Sequence, residues 1–173
     1  MLTESTLKSI FVYSTPENRA KFLEPLNVTM SHYDISTRLR QAAFLAQVGQ
    51  ESGELKYVEE IASGAAYEGR RDLGNTSSGD GVLYKGRGLI QITGKRNYAI
   101  ASIDMDLPLL EHPELLCTPM NAAMSAGWFW SNAGLNPLAD QSRFAQITQR
   151  INGGQTGAAN RQRIYLRALD TLK

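Results

Sequence analysis

Val48-Gly-Gln-Glu51-Ser-Gly-Glu54 and, beyond a glycine-rich stretch, Tyr84-Lys-Gly-Arg-Gly-Leu-Ile-Gln-Ile-Thr93-Gly-Lys-Arg-Asn97-Tyr98 form the segment around which the chain is organised. Ser36 or Thr37 can cap a helix from Arg38 to about Ser52, with Ala43, Phe44, Val48 and Glu51 sharing a face. Glu51 thus lies on or beside an apolar stripe, where burial favours the protonated carboxyl that a general acid needs. It reads equally well as a surface glutamate in a fraying last turn. Ser52-Gly53 supplies the helix stop. Were the helix to continue, Glu60 would stand roughly 13 Å along the axis from Glu51 and on the opposite face. A break at Gly53 is what lets Glu60 come back across from Glu51; alone, Glu60 also reads as a solvated charge.

Between residues 63 and 88 lie seven of the fifteen glycines, with Tyr67, Leu73 and Tyr84 among them as anchors. The pattern predicts an ordered loop with several tight turns. Gly86-Arg-Gly88 lacks the lysine and hydroxyl residue that complete a phosphate-binding loop. Leu89 to Thr93 alternates, which predicts a short strand with Ile90 and Ile92 on one face and Gln91 and Thr93 on the other. Thr93 is positioned to cap a following helix that carries Asn97 and Tyr98.

Upstream, Leu7, Ile10 and Phe11 have helical spacing, and Thr15-Pro16 is a cap followed by proline at the first helical position. The second of these helices carries Phe22, Leu23, Leu26 and Met30, with a break or kink expected at Pro25. Downstream, Thr118-Pro119 opens a helix running through Trp128-Phe129-Trp130, a cluster better suited to core packing than to a sugar platform. A helix bearing Phe144, Ile147 and Ile151 stops at Asn152-Gly153-Gly154, and a last one brings Arg161, Arg163, Ile164, Leu166 and Leu169. The prediction is a mostly α chain of one catalytic domain over 1–173, with about 100–140 open to forming a small helical lobe.

The 173 residues carry a formal net charge of +1 with scattered basic side chains, so nothing in the electrostatics selects nucleic acid. Cys117 is the only cysteine, which excludes an internal disulfide and a cysteine-based metal site. His32 and His112 stand far apart without metal-ligand spacing, so neither a metal nor a cofactor is expected. Met1-Leu-Thr-Glu-Ser lacks a basic leader, and Ile10 to Tyr13 is too short for a signal core or a membrane span. The expectation is a monomer synthesised in the cytoplasm without stable membrane association.

Longer segments then resemble a known family. Leu39-Arg-Gln-Ala-Ala-Phe-Leu-Ala-Gln-Val-Gly-Gln-Glu51-Ser-Gly, Tyr67-Glu-Gly-Arg-Arg-Asp-Leu-Gly-Asn75, Gly79-Asp-Gly81, Tyr84-Lys-Gly-Arg-Gly-Leu-Ile-Gln-Ile-Thr-Gly, Gly127-Trp-Phe-Trp130 and Ile147-Thr-Gln-Arg-Ile-Asn-Gly-Gly154 follow one another as in glycoside hydrolase family 19. That is the chitinase family which also includes phage lysis enzymes. The resemblance implies a lysozyme-like, two-lobed helical fold with a small β element beside a cleft, and inverting hydrolysis of β-1,4 bonds next to N-acetylhexosamine.

Position by position, Glu51 matches the family's general acid and Thr93 the hydroxyl residue that helps hold the attacking water. Gln91, Asn97 and Tyr98 match the lining of the sugar sites. Asn152 matches the asparagine of the Asn-Gly-Gly turn, and Arg163 an arginine of the last helix. Glu60 matches the general base of the phage-type enzymes. Glu68 is the nearest candidate for the plant-type base and otherwise a substrate-binding residue. The family's histidine before the acid is Gln50 here. An inverting pair needs about 6.5–9.5 Å between carboxyls to seat a water. The absence of disulfides and of a signal points to an endolysin that cuts bacterial peptidoglycan after release through a holin-type lesion. The alternatives are a chitinase, a lytic transglycosylase that forms anhydro products, and a catalytically inactive wall-binding module.

Overall fold

Three threonines set where the first helices begin. In the computed structural model, which describes residues 1–173, the side chain of Thr3 caps α1 (Glu4–Ile10), Thr15 caps α2 (Pro16–His32) and Thr37 caps α3 (Arg38–Glu51). Each threonine oxygen accepts the N–H three residues on, at 3.1–3.2 Å. That satisfies one of the N–H groups a helix start leaves without an internal partner. Of the two caps open at the third helix, Thr37 is the one used.

α2 runs unbroken through Pro25. The break expected there does not occur: Pro25 and Leu26 are buried, in a helix that packs on α1 and on α6 (Pro119–Asn132). Burial of this kind offsets the single hydrogen bond that proline removes. α2 and α6 touch at Gly127, where a Cβ would stand 2.3 Å from Tyr33 Cδ2 and 2.5 Å from Thr29 Cγ2. Only glycine permits that approach.

α3 is the spine. Every residue from Ala42 to Gly49 is buried, and the helix packs against α9 (Ala158–Thr171), α7 (Leu135–Asp140) and α8 (Phe144–Asn152). One buried cluster runs from Leu2 to Ala168 and takes in Leu109, Leu116, Trp130 and Leu135, so residues 100–140 contribute to the common core. Trp130 is fully buried, edge-on to Phe44 at 5.5 Å between ring centroids, and its indole N–H reaches Asn136.

The glycine-rich stretch is an ordered loop. It is built from 3₁₀ turns at Ala65–Tyr67 and Arg71–Leu73 and a short helix, α4 (Asp80–Leu83). Buried Asn75 ties it down, donating to the Tyr67 carbonyl and accepting from the N–H of Lys95, each at 2.9 Å. Lys95 begins α5 (Lys95–Asp104), whose cap position is Gly94; the Thr93 hydroxyl instead donates to the carbonyl of Gln91. The strand expected over Leu89–Thr93 is a tight turn. Gln91 has φ +59°, and the only bridges are those of Arg87 with Ile92 and with Glu59. Leu89, Ile90 and Ile92 are all buried, so the apolar alternation came from a reversal of the chain and not from a pleated strand. The β element beside the cleft is no more than these bridges.

Candidate active site

The catalytic geometry starts at the last residue of α3. Beyond Glu51, Gly53, Glu54 and Leu55 all take positive φ, at +58°, +56° and +73°. For the two non-glycine residues this is a costly backbone conformation. It persists because Glu54 is pinned: its carboxylate accepts from the Tyr13 N–H at 2.6 Å and from Arg167 Nη2 at 2.8 Å. The left-handed turn ends the helix, and the chain beyond it comes to Glu60, whose backbone N–H donates to the Gly86 carbonyl at 2.8 Å.

The Glu60 side chain is fixed at both oxygens. Oε1 accepts from the Tyr67 hydroxyl at 3.0 Å and Oε2 from the Gly86 N–H at 3.1 Å. A Cβ on Gly86 would lie 2.8 Å from Gln91 Oε1, 3.2 Å from Thr93 Oγ1 and 3.3 Å from Glu60 Oε2. Three oxygens that can orient a water therefore converge on one spot over Gly86, and the absence of a side chain there keeps it open. The strained turn at Gln91 aims its amide at this spot, while Nε2 holds the Gly88 carbonyl at 2.9 Å. Beside it lies a cavity of about 220 Å³, with Gln91, Thr93 and Asn97 on its polar side and Leu73, Phe129 and Ile151 on its apolar side. A larger groove, about 940 Å³, runs along α2 past Leu2, Leu23 and Ile35. It holds no paired carboxylates; the convergence of polar groups, and not size, marks the site.

Glu51 has a different neighbour from the one its helical position suggested. Its partner is a cation: Oε1 accepts from Arg161 Nη2 at 2.5 Å, and the Glu51 side chain keeps only 21% of its surface exposed. Arg161 is itself buried. Arg163, the arginine of the last helix that the resemblance marks as substrate-binding, is exposed and bonds only Asn160. The spacing held the signal. Arg161, Ile164, Tyr165 and Ala168 are the buried residues of α9, at three-, four- and seven-residue steps, and Arg163 falls off that stripe.

Tyr98 is also displaced from its expected role. It is fully buried, donating to the Lys85 carbonyl at 2.7 Å and accepting from Arg87 at 3.1 Å, so it shapes the 85–88 turn from behind. Burial pushes its phenol up to about 12. Glu68 is exposed and accepts from the N–H groups of Gly79 and Val82 at the start of α4, at 3.2 and 3.4 Å. Glu59 pairs with Arg87 and Lys85 at 3.1 and 3.4 Å. Asn97 is exposed on the cavity's edge and donates to the Thr93 carbonyl at 2.7 Å. Asn152 ends α8 next to Ile151 of the cavity wall, at the turn that Gly153 closes with φ +70°. Gln50 accepts from Asn160 Nδ2 at 2.7 Å, which joins α3 to α9 where the family's histidine would stand. No group of three or more His, Cys, Asp or Glu side chains is placed to hold a metal ion.

No family model matches the chain. It is 42% identical over 115 residues to an endochitinase of Arabidopsis thaliana, an alignment covering 66% of this chain and 39% of that protein. It is 29% identical over 197 residues to a glycosyl hydrolase family 19 domain-containing protein of Haemophilus influenzae, covering 95% of this chain and 94% of that one. The chain thus spans about 39% of the length of the Arabidopsis endochitinase, but nearly all of the bacterial relative. The fold superposes on chitinase C of Streptomyces griseus with a TM-score of 0.77 at 22% identity, over 98% of this chain and 76% of that one. On the class IV chitinase of Zea mays the TM-score is also 0.77, at 24% identity over 99% and 92% of the two chains. The chain thus has the lysozyme-like helical fold of the family 19 chitinases, and its sequence is similar to a family 19 glycosyl hydrolase and to endochitinases.

Proposed function

We propose that the protein is an inverting glycoside hydrolase that cuts β-1,4 bonds in the glycan strands of bacterial peptidoglycan. The observation that carries the hydrolase reading is the convergence of Glu60, Gln91 and Thr93 on one point over Gly86, beside a cavity. In this reading Glu51, protonated on the oxygen that Arg161 does not hold, gives its proton to the glycosidic oxygen as the C1–O bond breaks. Glu60, ionised, takes a proton from a water held by Thr93 and Gln91. The hydroxide oxygen bonds to C1 from the opposite face, and the configuration inverts. Tyr67 and the Gly86 N–H hold Glu60 in place for that step.

The choice of peptidoglycan is supported by the near full-length match to a bacterial family member and by a single cysteine, which leaves the chain without an internal disulfide. In that role it acts on the wall as a lysis enzyme after release across the inner membrane. Chitin is the second reading, favoured by the plant relatives, which are named endochitinases.

The test is mass spectrometry of Gram-negative sacculi and of chitohexaose after digestion, with the anomer of the new reducing end followed by NMR. Reducing ends carrying one added water, formed first as the α-anomer from sacculi, are the expected result. Glu51→Gln should lower turnover at least about a hundredfold with the fold intact. Anhydro ends would make the chain a transglycosylase, chitohexaose cleaved with sacculi untouched a chitinase, and binding without product a wall-binding module.

A further inference from the structure

Behind Glu51 lies a buried polar chain that crosses three helices. Arg161 divides its guanidinium: Nη2 goes to Glu51 Oε1 at 2.5 Å, Nη1 to Gln47 Oε1 at 2.6 Å, and Nε to the Thr156 carbonyl at 3.3 Å. Gln47 Nε2 in turn donates to Thr148 Oγ1 at 3.0 Å. Gln47, Thr148 and Arg161 keep 0%, 1% and 2% of their surface, on α3, α8 and α9 respectively. A guanidinium only donates, so the Gln47 amide must turn its oxygen to Arg161 and its NH₂ to Thr148, whose hydroxyl then acts as acceptor.

Arginine facing a lone carboxylate tends to form a bidentate fork, with two parallel N–H donors on the two oxygens. Here Gln47 occupies one arm of that fork, and Glu51 receives a single bond on a single oxygen. A fork would claim both oxygens of Glu51, including the one that must carry a proton toward a leaving group. We propose that Gln47 and Thr148 are positioning residues for the reaction: Gln47 keeps the Arg161–Glu51 contact one-armed, and Thr148 fixes the orientation of Gln47. The inference rests on Glu51 as the acid. Gln47 lies one helical turn before Glu51 on the same side of α3, so a single rigid helix presents both groups to the same guanidinium.

The test compares Thr148→Val, Thr148→Ser and Gln47→Met on chitohexaose and on sacculi. Valine matches threonine in shape and lacks the acceptor; serine keeps it. Gln47→Met should lower kcat about tenfold with KM within about twofold, equivalent to about 1.4 kcal/mol of transition-state stabilisation. Thr148→Val should lower kcat about threefold, with KM again unmoved, and Thr148→Ser should restore it. A purely structural role would move the melting temperature without this split or this rescue.

Hydrogen exchange of the Arg161 guanidinium, followed by NMR, reads the clamp without turnover. It should quicken at least about tenfold in Thr148→Val and return to wild-type rates in Thr148→Ser. Should Gln47→Met fail to fold, the Thr148 pair and the exchange rates decide. Wild-type kcat and exchange in Thr148→Val would overturn the proposal. If Glu51→Gln keeps full turnover, the acid assignment has failed. If Glu51→Gln loses turnover while Gln47→Met and Thr148→Val do not, only the positioning role has failed.

Discussion

Replacing Gly86 by alanine adds one methyl at the point where the site's polar atoms meet, and the structure says how much must give. Gly86 is not among the glycines with positive φ, so the substitution imposes no left-handed strain. The new Cβ meets Gln91 Oε1 at 2.8 Å, where roughly 3.4 Å is comfortable, and presses on Thr93 Oγ1 and Glu60 Oε2 at 3.2 and 3.3 Å. Gln91 must swing aside by half an ångström or more and weaken its bond to the Gly88 carbonyl, a loss of about 1 kcal/mol. Against that, alanine stiffens the unfolded chain by about 0.4–1 kcal/mol. The net change in stability is close to zero, and the melting temperature should stay within about 4 °C of wild type. Activity should respond far more, because a displacement approaching 1 Å at a catalytic constellation costs up to about a hundredfold. The expected kcat for Gly86→Ala, measured by reducing-end release from sacculi or chitohexaose, is lower by about ten- to a hundredfold. A folded Gly86→Ala with kcat within about threefold of wild type would refute the placement of the attacking water there. A variant destabilised by more than about 3 kcal/mol would refute the view that the flexible Gln91 amide absorbs the methyl.

Tyr67→Phe removes the donor on Glu60 Oε1 and should lower kcat about tenfold at unchanged KM, the weight of one hydrogen bond to a charged group. Burial, and then the Glu60 carboxylate, push the Tyr67 phenol above its ordinary value, so this deficit should hold across neutral pH. Glu54→Ala leaves Arg167 and the Tyr13 N–H without their carboxylate, and lets go of a turn with three positive φ angles. A loss of about 3 kcal/mol in urea unfolding is expected; a loss below about 1 kcal/mol would mean the turn holds itself. Asp80 accepts from the N–H groups of Ser77 and Thr76 and pairs with Lys95, and these contacts hold its carboxyl below the ordinary range, Ser77 first. A depressed value stabilises the fold above the unfolded pKa of about 3.9 and loses that contribution as pH falls through the folded value. The stability gap between wild type and Asp80→Asn should therefore be full above about pH 5 and shrink in stronger acid. A gap that stays constant to pH 3 would count against it.

The helices were legible because their signals are local. Thr37 before Arg38, Thr15 before Pro16 and the apolar run of Ala42 to Val48 act within a turn or two of chain, and the structure uses each of them. The two misread stretches involve competition that sequence does not display. Pro25 marks a break only if tertiary burial does not repay the lost hydrogen bond, and α2 packs on α6, far along the chain, as well as on α1. Ile90 and Ile92 alternate about a polar residue in a strand and equally in a reversal whose centre has positive φ, as Gln91 does. Gly88 and buried Leu89 beside them favour the second, but propensity alone does not choose.

The site shows the same division more sharply. The break at Gly53 follows from its neighbours, and with it the return of the chain toward Glu60. What holds each carboxylate comes from elsewhere: Glu60 meets Gly86 across 26 residues, and Glu51 meets Arg161 across 110. Arg161 and Arg163 are identical in chemistry, and only the buried stripe of α9 marks Arg161 as the one that reaches Glu51. Gln47 was the clue in plain view. A glutamine inside eight consecutive buried residues must find partners for both ends of its amide, since a buried polar group left unpaired costs about 1–3 kcal/mol. The donor at its oxygen and the acceptor at its nitrogen could then be sought among the few polar side chains on buried stripes of other helices. Arg161 and Thr148 are two of these, and Arg161 leads directly to Glu51. Buried amides in apolar helices thus mark where a fold has set polar chemistry inside its core, before any carboxylate is assigned a role.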